Sequence, residues 1–177
     1  MIVVVEGPDG GGKSTLIDNL RLESKRHYVA LRRSGAPDNA DEIVTVVNWM
    51  NRMSIGMVPL ICDRHPLISE PIYGQTLRGS SLLDGVYSVD DIKENFLDHV
   101  SRVIYCRPPT GVILKKMQEN HQLKGVHEHI EEITRKYDHT MRLITHWGVR
   151  VFQYDWSAER EGDQWNLDEL FFGADHE

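Results

Sequence analysis

The chain has 177 residues, 40% of them hydrophobic and 27% charged, with a formal net charge of −7. Those fractions are ordinary for a globular chain, and the length suits one domain that buries a core without staples, which excludes collagen-like and disordered classes. The acidic balance argues against broad binding to nucleic acid or anionic membranes, but it leaves room for a small anion in a local basic pocket.

No apolar run approaches the ~18 to 20 residues of a membrane span. The start MIVVVEGPDGGGK lacks the basic region of a signal peptide. With Cys62 and Cys106 as the only cysteines, a cytoplasmic location is expected.

Ile2-Val3-Val4-Val5 is a continuous β-branched run, which suits a strand buried on both faces of a parallel sheet. Residues 13–27 read as a helix with Leu16, Ile17 and Leu20 on one face, and 28–31 as a second strand. Over 41–57, Ile43, Val46, Val47, Met50 and Met53 recur at helical spacing. Trp49 is placed on that apolar face and expected in the core, with base stacking as the alternative. Residues 58–62 form the third predicted strand and Asp63-Arg64-His65-Pro66 its exit.

Helices are expected over 67–77 and 89–99, separated by a Gly/Ser-rich loop, and a fourth strand over 103–106. Pro109 suits the first turn of a helix over 110–119. Residues 120–129 are polar and read as a mobile loop, part of a lid over about 118–130. Its histidines, His121, His127 and His129, lack the partners of a metal site and read as solvated. The longest helix is expected over 130–147 and the fifth strand over 149–152. The acidic tail carries one short amphipathic piece, Leu167–Phe172, whose Phe171-Phe172 should dock on the body. Cys62 and Cys106 both end strands and read as buried thiols. Alternation of strands and helices predicts an α/β domain, a five-stranded parallel sheet covered on both faces.

The strongest local signal is Gly7-Pro8-Asp9-Gly10-Gly11-Gly12-Lys13-Ser14, which matches G-x-x-x-x-G-K-[ST] between a buried strand and a helix. Glycines permit a wide loop whose N–H groups face phosphate oxygens at the positive end of the following helix. The candidate phosphate-binding residues are therefore Gly7, Asp9, Gly10, Gly11, Gly12, Lys13, Ser14 and Thr15. Lys13 reaches the β/γ-phosphates, and the Ser14 hydroxyl suits Mg²⁺. ATP is the expected donor and Mg²⁺ the expected metal. The guanine-reading N-K-x-D and T-K-x-D segments are absent from the sequence.

Further residues extend the pattern. Glu6-Gly7-Pro8-Asp9-Gly10, the strand exit Arg32-Arg33-Ser34-Gly35, and Asp63-Arg64-His65 followed by Ser69 and Tyr73-Gly74 together resemble the thymidylate kinases within the wider group of deoxynucleoside and deoxynucleotide kinases. Residues 103–109 and the late helix with Tyr137 continue the likeness, while Arg107 looks more like the deoxynucleoside kinases. The resemblance implies a three-layer P-loop kinase fold. It implies phosphoryl transfer from ATP to a deoxynucleoside monophosphate, dTMP or a related deoxynucleotide, and a possible homodimer.

Carried over, Asp9 would lie beside the deoxyribose 3′-hydroxyl and Arg64 would hold the acceptor phosphate. Arg32 or Arg33, Ser69 and Tyr73 would line the acceptor cleft. Asp63 would lie near Mg²⁺ through water, with Glu6 a further candidate ligand. Lys13, Arg64 and Asp9 are the catalytic candidates.

One departure stands out. The family places an arginine in the phosphate loop or the lid, and here Gly10 and Gly11 occupy the loop and 120–129 has no Arg. Lys115, Lys116 and Lys124 are candidate point charges, and Arg107 and Arg135 candidate arginines that swing in. A kinase for a hydroxyl of a deoxynucleoside or a modified base in DNA, and a non-catalytic nucleotide-binding module, remain the competing readings.

Overall fold

The computed structural model describes residues 1–32, 35–56, 58–119, 125–158 and 166–173. Five strands, β1 (Ile2–Glu6), β2 (Val29–Arg32), β3 (Leu60–Asp63), β4 (Val100–Cys106) and β5 (Arg150–Tyr154), form one sheet in the order β2-β3-β1-β4-β5. Every pairing is parallel. The helices are α1 (Lys13–Glu23), α2 (Ala40–Ser54), α3 (Pro66–Leu77), α4 (Val89–His99), α5 (Thr110–Glu119), α6 (Ile130–His146) and α7 (Leu167–Phe172). A short 3₁₀ turn, His127–His129, precedes α6.

The side-chain alternation of the strands explains the three layers. Val3, Val5, Ile61, Ile104 and Cys106 face α1 and α7, while Ile2, Val4, Leu60, Cys62, Val103 and Tyr105 face α2 through α6. β1 is fully buried on both faces, as its unbroken apolar run predicts. The thiols of Cys62 and Cys106 are free and buried, and burial raises both; that of Cys106 is pushed up to about 12.

Helix α1 ends four residues earlier than the sequence suggests. The Ser24 hydroxyl accepts from Arg26 N at 3.1 Å, and Ser24 itself is extended (φ −75°, ψ 136°), so the local turn outcompetes another helical turn. Helix α2 likewise ends at Ser54, before Gly56. Its buried stripe is Ile43, Val47 and Met50, and Trp49 lies off that stripe, 41% exposed rather than in the core. The start of α4 carries a reciprocal cap, Asp91 N to Ser88 Oγ (3.1 Å) and Ser88 N to Asp91 Oδ2 (2.8 Å).

Strand β4 begins at Val100, three residues before the expected start, because the charged Arg102 is an interior residue, 6% exposed. Its Nη1 donates to Glu169 O and Leu170 O, both at 3.1 Å, and its guanidinium lies 5.5 Å from the Phe152 ring centroid. Arg102 thus holds the last carbonyls of α7, whose Phe171 is fully buried as expected for a docked tail. Arg102→Met keeps the bulk and removes these bonds. It is expected to cost about 1–3 kcal/mol in urea unfolding and to lower hydrogen-exchange protection first in α7; unchanged stability would refute that tie.

Candidate active site

In register, Val5 pairs with Asp63. That pairing sets the loop after β1 beside the loop after β3, at the C-terminal edge where open parallel sheets gather their ligands. Arg64 N then donates to Val5 O at 2.9 Å, which locks the two exits together.

The phosphate loop closes on itself through Gly11 N to Pro8 O at 3.1 Å. Gly12, the N-cap of α1, has φ 91°, in the region that glycine enters without strain. A Cβ there would also lie 2.5 Å from Trp156 Cδ1, so the indole lies against the loop where only glycine fits. The side chain of Lys13 crosses the loop and donates to Gly7 O (2.9 Å) and Pro8 O (2.8 Å).

Burial, aided by the positive charge of Arg64, pushes Lys13 down to about 8 from its ordinary 10.5. Its folded pKa lies below the unfolded one, so the burial penalty is fully present below about 8 and is relieved as the pH rises towards 10.5. For ligand binding the sign is opposite, because a polyphosphate favours the charged ammonium. Nucleotide triphosphate affinity is therefore expected to fall as the pH rises through about 8, with proton uptake on binding in calorimetry that Lys13→Met removes. Binding without such uptake would refute this.

Two carboxylates and one arginine define the floor. Ser14 Oγ donates to Asp63 Oδ2 at 2.8 Å, which places two hard oxygen donors side by side at the loop mouth. The guanidinium of Arg64 donates to Asp9 Oδ1, to Tyr137 Oη (3.1 Å) and to Tyr73 Oη (3.2 Å), and lies 4.8 Å from the Tyr73 ring centroid. Burial works against its charge, and the facing Tyr73, Tyr137, Asp9 and Glu6 more than offset that, so the cation persists. Burial also pushes Tyr73 up to about 12 and raises Tyr137 well above its ordinary value, which keeps both hydroxyls protonated.

Glu6 is fully buried, and its oxygens accept from His65 N (2.6 Å), Gly7 N (3.3 Å) and Tyr137 Oη (3.1 Å). Burial raises its pKa, and Arg64 and the His65 N–H hold it back. Glu6 thus ties β1, the β3 exit and α6 together. With three donors on its oxygens and no exposed surface, it is not presented at the loop mouth as the further metal ligand that the sequence suggests. His65 next to it stays neutral, pushed down to about 3 by burial, and accepts from Leu67 N at the start of α3.

Two clefts open on this floor. One, of about 760 Å³, is lined by Gly10, Gly12, Lys13, Ser14 and Thr15 of the loop, and further by Asn19, Lys116, Tyr154 and Trp156. The other, of about 310 Å³, is lined by Pro37, Ser69, Glu70, Tyr73, Leu77 and Arg78, among others. Asp9, Asp63 and Arg64 line both.

Ser69 and Tyr73 line the second cleft. Arg32 does not: its Nη2 donates to Asp18 Oδ1 (2.8 Å) and Ser14 O (3.2 Å), bracing α1 outside the second cleft. Arg33 and Lys124 lie outside the described residues. Of the remaining candidate cations, only Lys116 lines the first cleft. Lys115 and Arg135 are exposed elsewhere on α5 and α6. Arg107 is held by Asp138 through Nε (2.9 Å) and Nη2 (3.2 Å), in a separate groove.

His127 and His129 lie in the 3₁₀ turn before α6, and His121 lies outside the described residues. The sequence reading missed Asn19, Tyr154, Trp156, Glu70 and Arg78. Trp156 had a usable signal, since it lies just past the C-terminal end of a strand, where the ligands gather.

A nucleotide-cradling loop on a 2-3-1-4-5 parallel sheet, with helices on both faces, defines the fold class of the P-loop nucleoside and nucleotide kinases. The chain matches no protein-family model. It is 25% identical over 164 residues to a cytidylate kinase of Staphylothermus marinus, covering 85% of this chain and 80% of that one.

Among solved structures, the YorR protein of Bacillus subtilis, in complex with phosphorylated GDP, superposes with a TM-score of 0.61 at 20% identity, over 96% of this chain and 91% of the other. A deoxyadenosine kinase of M. mycoides, solved with the products dCMP and dCDP, gives a TM-score of 0.57 at 17% identity, over 90% and 92% of the two chains. Among the described residues no helix is long and apolar enough to cross a membrane.

Proposed function

We propose that the protein transfers the γ-phosphoryl group of Mg-ATP to a deoxynucleoside monophosphate. One observation supports this reading: two clefts meet at a shared Asp9, Asp63 and Arg64, so one arginine borders both. Transfer between two polyanions needs a cation at the oxygens that both share. The donor phosphates fit the loop N–H groups and Lys13. Ser14 and Asp63 would hold Mg²⁺, Asp63 through water, and the ion supplies charge neutralisation across the phosphates.

The engaged carboxylates favour a phosphate acceptor over a hydroxyl. A hydroxyl nucleophile needs a base, whereas a phosphate oxygen is already anionic. Glu6 is buried and takes three donors, Asp63 takes the Ser14 hydroxyl, and Asp9 takes Arg64. Asp9 is then left to orient the acceptor sugar as Arg64 turns to its phosphate. The motif resemblance points to dTMP or a related deoxynucleotide and leaves the base open. The likeness to a cytidylate kinase widens the choice of base, which the walls of the second cleft decide.

Incubation with Mg-ATP and a panel of deoxynucleosides and deoxynucleoside monophosphates, scoring ADP and the phosphorylated product, tests the reading. Diphosphate formation from at least one monophosphate supports it. Phosphorylation of nucleosides or DNA alone would replace it by the hydroxyl kinase, and binding without turnover by the nucleotide-binding module.

A further inference from the structure

On α3, Glu70, Gly74 and Arg78 follow at four-residue intervals, the last at the helix C-cap, and so share one face. Gly74 has no side chain, and its neighbours fill the space. A Cβ there would lie 2.6 Å from Arg78 Nη2, 2.6 Å from Glu70 Oε1 and 2.8 Å from Ser80 O. The glycine is what lets the guanidinium fold back along the helix onto Glu70.

The Glu70 side chain is only 2% exposed. Its carboxylate accepts from Ser81 Oγ, from Leu82 N (2.9 Å) and from Arg78 Nη2. A buried carboxylate satisfied in this way anchors the arginine and is itself closed to a ligand. Arg78 is 41% exposed and lines the 310 Å³ cleft. Its Nη1 and Nε make no bond to a described residue.

A guanidinium fixed through one Nη2 hydrogen can still present Nη1–H and the second Nη2–H as a rigid parallel pair, which matches two adjacent acceptors with parallel lone pairs. Arg64 and Asp9 take the phosphate and sugar where the two clefts meet, so the part of the acceptor that reaches Arg78 is its base. We propose that Arg78, positioned by Glu70 and accommodated by Gly74, reads the acceptor base and selects an edge with two neighbouring acceptors. Cytosine offers O2 and N3, and guanine offers O6 and N7. Adenine sets its N6 amino donor beside N1 and N7 and offers no second base acceptor next to N3, and thymine sets N3–H between its two oxygens, so neither fills the fork. The inference rests on the second cleft being the acceptor side.

Equilibrium binding of dCMP, dGMP, dTMP and dAMP to the full chain, by calorimetry, tests this separately from turnover. The wild type is expected to bind dCMP or dGMP at least about tenfold more tightly than dTMP and dAMP, the discrimination of a bidentate arginine contact. Which of the two is preferred tells a pyrimidine reader from a purine reader. Arg78→Met and Arg78→Lys should both erase the difference by weakening the favoured nucleotide alone; the lysine retains charge but not the fork, which a purely structural role would not distinguish.

Preference for dTMP or dAMP in the wild type, or equal weakening of all four in Arg78→Lys, overturns the proposal. The wild-type ranking stands as a test even if a variant misfolds. Selective binding with no phosphoryl transfer to any of the four would refute the proposed activity and leave the base reading intact. Absence of binding by all four would refute both.

Discussion

Lys13→Ala is expected to lower turnover by about 10² to 10³-fold, the usual effect of removing one preorganised group that stabilises transition-state charge. The structure gives two reasons to expect loss of function without loss of fold. Lys13 lines the phosphate cleft, and its ammonium is held by two carbonyls of the same loop, not by the core. Burial already disfavours its charge, so removing the ammonium removes an unfavourable contribution to folding. The mutant should therefore unfold at or above the wild-type urea midpoint. Turnover near wild type would overturn the phosphate-loop role, and a collapsed midpoint would show Lys13 to be structural.

Arg64→Lys is the second large effect. The guanidinium bridges Asp9, Tyr73 and Tyr137 at the meeting of both clefts. An ammonium there reaches one oxygen at a time and cannot present two parallel N–H groups to a phosphate. Loss of such a charge-assisted contact is expected to lower kcat/KM for the monophosphate by about ten- to a hundredfold. Slow ATP hydrolysis without acceptor should change far less. An equal fall in that hydrolysis would assign Arg64 to the donor side.

Much of the sheet and the loop was legible because their signals are local. An unbroken β-branched run, a glycine-rich loop and an Asp-Arg pair at a strand exit each occupy a few adjacent residues, and the topology brings the exits together. What escaped is decided by distant partners. Arg102 reads as surface in sequence, but the α7 carbonyls, 67 and 68 residues away, make it interior. Glu6 reads as a metal ligand until Tyr137, 131 residues away, and the His65 N–H occupy its oxygens. Arg32 reads as an acceptor contact because its motif position says so, yet Asp18 lies within reach and takes it. Trp49 failed for a simpler reason: a helical stripe of three core residues leaves little room for a fourth on its flank.

Arg64 is the one described non-glycine residue with a positive φ, 76°. A side chain in that region costs about 1 kcal/mol or more, which glycine avoids. Conservation of the guanidinium and relief of the backbone therefore pull position 64 in opposite directions. Arg64→Gly is expected to phosphorylate no monophosphate and to melt below the wild type, because the lost bonds to Asp9, Tyr73 and Tyr137 outweigh about 1 kcal/mol of relieved strain. Arg64→Ala loses the same bonds and keeps the strained backbone, so it should melt lower still. An alanine variant as heat-tolerant as the glycine one would show that this backbone stores no strain.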